Sequence, residues 1–113
     1  MKYTEVLQRL ALNDQHFAEE YLTRLGVEPI ELDPKTLALV RVAALVAVGG
    51  AVPSYGAEVD AAVRAGATAA EIVDVLLGVV SVIGLPSVVA AAPSLGLALG
   101  YDTDDALEPR SGW

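Results

Sequence analysis

Apolar positions along this chain repeat with helical spacing almost from its start. Val6, Leu7, Leu10, Phe17, Tyr21, Leu22 and Leu25 recur at steps of three, four and seven, while Glu5, Gln8, Arg9, Glu19, Glu20 and Arg24 fill the other side. The pattern predicts an amphipathic helix, or a pair of them, over about 4–25, with a break near Asn13-Asp14. Gly26 suits a C-terminal cap, and "VEPIEL" (27–32) reads as an extended linker.

Four more helices are predicted from their end signals. Asp33-Pro34 is a helix start, because the carboxylate accepts from free N–H groups and proline brings the right φ with no donor to waste. That helix runs to about Gly49-Gly50. Pro53 opens the next, which reaches about Ala65 and stops at Gly66. Thr68 and Glu71 form a capping box, each satisfying the other's end of the turn. The helix behind it, "AEIVDVLLGVVSVIG", is apolar nearly all round, which places it at the centre of the core or in an interface. A last helix covers about 86–99, bent near Pro93, and the acidic tail 101–113 is expected to fray. The valine-rich runs are too long for strands and are framed by helix caps. The reading is an all-α chain, with one domain over 1–100 and a flexible tail after it.

Composition changes this picture in several ways. A hydrophobic content of 54% and a mean hydropathy of +0.50 exceed what a small monomer can hide, so subunit contacts are expected to bury the surplus. Residues 75–101 carry no Asp, Glu, Lys or Arg, but "GLP" (84–86) and "APS" (92–94) punctuate the run, and a spanning helix needs about 20 unbroken apolar residues. The N-terminal "MKYTEVLQRLALND" is charged and lacks the apolar centre of a signal peptide. A cytoplasmic protein with no membrane contact is therefore expected. A net charge of −8 repels phosphate backbones, which argues against nucleic acid as a partner. The chain has no cysteine, so disulfides, thiolate catalysis and cysteine metal sites are absent. His16 is the single histidine, read as structural, and no metal or cofactor is expected.

"LDPKTLALVRVAALVAVGG" (32–50), a turn and a helix, then "AGATAAEIVDVLLGVVSVIGLPS" (65–87) resembles the carboxymuconolactone decarboxylase family, over about residues 32–97. The most specific element is "AGAT-x-x-EI-x-x-VL", supported by "LD-x-KT" before it and "GLP" after it. The resemblance implies an alkylhydroperoxidase-D-like helical bundle that assembles as a homotrimer or homohexamer, with pockets near subunit interfaces. In the family's peroxidase branch the helix before "AGAT" opens with Cys-x-x-Cys followed by His. Ala51, Ser54 and Glu58 hold those places here, so a sulfenic acid resolved by a second thiol has no residues to form on. The lactone-decarboxylase branch places a His where Glu58 stands. A carboxylate can also move protons, but it would repel an anionic lactone unless a cation stood nearby.

Glu58 shares a helix face with Ser54 and Tyr55, beside the small Ala61, Ala62 and Ala65. It reads either as the acid/base of a pocket in which Tyr55 and Ser54 hold a substrate oxygen, or as a solvated early-helix acid stabilised by the helix dipole. Arg41 is the only charge between Lys35 and Glu58. It reads as an anchor for a substrate carboxylate, or as an ion-pair partner of Glu58, Asp60 or an acid on a neighbouring subunit. Asp60 and Arg64 are four apart and suit a surface pair. Asp74 interrupts an apolar helix, to line a pocket or to face solvent. Two functions are compatible with these residues. One is a cofactor-free acid/base enzyme of lyase or isomerase type, acting on a small carboxylated or cyclic molecule. The other is a catalytically silent, oligomeric binding or scaffolding protein.

Overall fold

A computed structural model describes residues 2–24, 29 and 31–101, with backbone alone for 22–24. The cap expected at Gly26, half of the linker and the acidic tail beyond Tyr101 lie outside the described residues. The chain divides into two compact units, one ending at Glu31 and one beginning at Leu32.

In the first unit, α1 spans Tyr3–Ala11 and carries the ion pair of Arg9 with Glu5, 3.0 Å apart. The expected break falls at Asn13, whose φ of 53° is left-handed, a conformation that asparagine tolerates better than most residues. The Asp14 carboxylate then accepts from the Phe17 N–H at 3.1 Å. The next element is a π-helix, Phe17–Arg24, in place of a second α-helix. Buried Phe17 stacks on Tyr21 with ring centroids 5.1 Å apart, and the Arg9 guanidinium lies 5.7 Å from the Phe17 centroid.

The second unit holds α2 (Pro34–Val48), α3 (Val52–Arg64), α4 (Ala69–Ile83) and α5 (Leu85–Ala98). Each helix packs on the other three, around Val42, Tyr55, Val59, Ile72 and Leu95. Side-chain chemistry sets the starts of α2 and α4. The Asp33 carboxylate accepts from the Thr36 N–H at 2.8 Å and from its hydroxyl at 3.0 Å. The Thr68–Glu71 box is complete in both directions. No strand occurs among the described residues, so the chain is all-α there. Among them, too, no helix is long and apolar enough to cross a membrane.

α4 buries only Ile72 and Leu76, leaving Leu77 67% and Val82 82% exposed. Leu85, Val89 and Leu97 of α5 are exposed as well. Asp60 and Arg64 are both exposed and do not pair, which corrects the surface pair expected from their spacing. Holding two long side chains in one geometry costs entropy that an exposed ion pair barely offsets.

Candidate functional site

Two of the candidate residues, Ser54 and Tyr55, follow directly on the α2–α3 turn, which one carbonyl organises. Leu45 O accepts from the N–H groups of Gly49 at 2.8 Å and Gly50 at 3.2 Å, and from the Tyr55 hydroxyl at 3.2 Å. Gly49 closes α2 with φ +80°, where a side chain would be strained. A Cβ at Gly50 would meet Leu45 Cδ2 at 2.7 Å. These contacts turn the chain back sharply and set the first turn of α3 against the last turn of α2.

α3 starts without a side-chain cap. Ala51 stands at its N-cap, and its carbonyl receives the N–H groups of Ser54 and Tyr55 at 3.0 and 3.2 Å. Within the next turn the structure brings Ser54, Tyr55 and Glu58 together on one helix. Tyr55 is 1% exposed and belongs to the core, Glu58 is half-buried and Ser54 is exposed. Arg41 is exposed on α2, one turn before Leu45, on a helix that packs against α3.

A depression of about 300 Å³ opens beside this turn, lined by Val46, Gly49, Gly50 and Tyr55 on one side and by Ser87 and Ser94 of α5 on the other. The Tyr55 hydroxyl gives its proton to Leu45 O, so towards a ligand its oxygen can only accept. Ser87 and Ser94 supply rotatable hydroxyls. Neither serine stood out in the sequence, although their spacing of seven on a helix puts both on one face. Of the four candidates only Tyr55 lines this depression. Glu58, Arg41 and Ser54 line neither it nor the larger one, of about 510 Å³, between the first half of α4 and the second half of α5. Asp74 does line that larger depression, with Ala70, Val73, Leu95, Gly96 and Tyr101.

The resolved electrostatics lie at the helix starts. The carboxyl of Glu71 is held below its ordinary value, first by the hydrogen bond from Lys35, whose Nζ lies 2.6 Å away, and then by the Thr68 N–H. Asp33 is lowered likewise, chiefly by the Thr36 N–H. Compared with known proteins, residues 15–95 match the model of the carboxymuconolactone decarboxylase family. No curated protein and no solved structure matches the chain.

Proposed function

Since the chain belongs to the carboxymuconolactone decarboxylase family, we propose that it is a cofactor-free enzyme of lyase or isomerase type, moving protons on a small carboxylated or cyclic organic molecule. The observation that carries this reading is the half-buried Glu58 carboxylate, one turn from Ser54 and Tyr55 and on a helix packed against the one bearing Arg41. A carboxylate within reach of a substrate C–H can serve as a general base. In the proposed step Glu58 takes a proton from carbon next to a substrate carbonyl. It then returns that proton to a carbon conjugated with the first, which completes an isomerisation. In a decarboxylation no carbon-bound proton is removed: the bond to the carboxylate breaks with its electron pair passing into the neighbouring carbonyl, and a proton drawn from water through Glu58 takes the place of the departing carbon dioxide. Arg41 holds the substrate carboxylate and offsets its repulsion from Glu58. Ser54 donates to a substrate oxygen, and the Tyr55 oxygen accepts from a substrate hydroxyl. The chemistry is not that of a cysteine peroxidase, because the sequence contains no cysteine.

Self-assembly belongs to the same proposal. The exposed Leu77, Val82, Leu85 and Val89 are the surface a trimer or hexamer would bury, and light scattering on the eluting protein reads the mass directly. A monodisperse 11.7 kDa species would refute it.

Glu58→Gln keeps shape and hydrogen bonding but removes the base. Once a metabolite screen supplies a substrate, turnover should fall about 10²–10⁴-fold with the melting temperature unchanged. Full turnover in the variant would reduce Glu58 to a charge near a helix start. One observation favours the silent, scaffolding reading: Glu58, Arg41 and Ser54 line neither of the two depressions described above. On that reading Glu58→Gln changes the mass of the assembly and nothing else.

A further inference from the structure

The larger depression lies apart from the residues of the proposed reaction and has a different chemistry. Its walls are apolar: Val73 and Leu76 from α4, Leu95 from α5 and Leu99 at the C-cap of α5. Its space comes from small residues, since Ala69, Ala70, Ala92 and Gly96 leave unfilled what larger side chains would occupy. About 510 Å³ falls within the range that holds a small organic ligand.

Two polar groups stand on it. Asp74 is exposed, and among the described residues no group hydrogen-bonds to it or pairs with it. Tyr101 is held at the rim by its own backbone, its N–H donating to Gly96 O at 2.8 Å. The chain has no Lys or Arg from residue 65 to 109, and the Lys35 ammonium that reaches α4 is taken by Glu71, one turn before Asp74.

We propose that the depression between α4 and α5 binds a small organic cation, an ammonium carried on an apolar body, with the charged head at Asp74. The carboxylate supplies the counter-charge. The Tyr101 ring offers a face on which an ammonium can rest, an attraction that persists where the cation is partly stripped of water. The body lies against Leu76, Leu95 and Leu99. A net charge of −8 raises the local concentration of cations and lowers that of anions, so the same surface rejects carboxylated molecules of similar shape. This separates it from a substrate site built on Arg41, which selects the opposite charge.

The test uses n-hexylammonium, with hexanol and hexanoate as neutral and anionic counterparts, titrated into the full chain at low salt while backbone amide shifts are followed by NMR. Hexylammonium should saturate and move the amides of Val73, Asp74, Gly96 and Tyr101; hexanol should bind more weakly and hexanoate not at all. Asp74→Asn should weaken hexylammonium about fivefold, the upper end for an exposed ion pair, and should leave hexanol unchanged. Ala70→Leu puts a good helix former on an exposed position and fills the space, so binding should vanish with the fold intact by circular dichroism. Equal binding of all three probes, or an unchanged affinity in Asp74→Asn, would make this a nonspecific apolar surface and overturn the proposal. So would protection of these amides that dilution, and not the ammonium, relieves: the depression would then belong to a second copy of the chain. Because Glu58 and Arg41 play no part in the readout, failure here leaves the proposed reaction standing.

Discussion

At the start of α4 the polar side chains are all occupied. Thr68 caps Glu71, Glu71 caps Thr68, and the second Glu71 oxygen takes Lys35 from the first turn of α2. At the start of α3 the N-cap is an alanine and Ser54, the third helical residue, closes no capping box, while Glu58 stands a turn further along the helix. What holds α3 is Tyr55, buried in the core with its hydroxyl on the last turn of α2. One helix start is fastened by surface hydrogen bonds, the other by a single core side chain. The difference separates residues used up in holding the fold from residues left over for chemistry: Glu71 is of the first kind, Glu58 of the second.

Four experiments can break or sharpen this contrast. The largest effect belongs to Tyr55→Ala, which empties a core position and removes the hydroxyl on Leu45 O. It should cost about 3–5 kcal/mol in urea denaturation, as loss of a large aromatic from a core does. Thr68→Ala should cost only about 1 kcal/mol, the usual worth of an N-cap, by the same measurement. If the two losses come out equal, the contrast between the two starts fails. Ala51→Ser should stabilise by about 0.5 kcal/mol, because Ala51 already has the extended φ and ψ, −74° and 157°, that a capping serine needs. No gain would mean that the first turn of α3 already has its donors satisfied in solution.

The smallest effect is on pH dependence. Asp33 and Glu71 have folded-state values below their ordinary 3.8 and 4.5, so the unfolded chain binds more protons in that range. Their contribution is present in full above about pH 4.5 and is lost as the pH falls through the lowered values. Glu71→Gln should therefore flatten the acid limb of a curve of melting temperature against pH, leaving its shape above pH 5 unaltered. An unchanged acid limb would show that the bond to Lys35 is not populated in solution.

Helix starts were legible in the sequence wherever a side chain fastens them. Asp33-Pro34 and the Thr68–Glu71 box lie where their chemistry demands, because a cap is a local bond between residues three apart. The π-helix at Phe17–Arg24 was not legible, since its wider turn shares the early apolar spacing of an ordinary helix. Tyr55 was grouped with the polar tips of α3 because periodicity describes faces and cannot say that a phenol will bury its ring and give its proton to a carbonyl ten residues back. The apolar run of α4 was legible as surplus but not as to where it lies. Only the packing shows that Ile72 and Leu76 are covered while Leu77 and Val82 are not. Asp74 was left between pocket and solvent, and it has both: exposed, and at the edge of the larger depression.

Pro93, set inside α5, limits what can cover the exposed apolar surface. A proline has no N–H, so the Val89 carbonyl, one turn earlier, lacks the helical donor every other residue of its stretch is offered. Val89 is itself 61% exposed, and water can supply the missing bond in the free chain. A neighbour that lays a purely hydrocarbon surface there strips that water and leaves an acceptor unmatched, forfeiting about 1–3 kcal/mol. One that brings a hydroxyl or an amide N–H to the same spot keeps the whole gain of apolar burial. A missing rung in a helix thus becomes a criterion of admission, screening greasy surfaces that merely fit from those that also carry one donor in the right place.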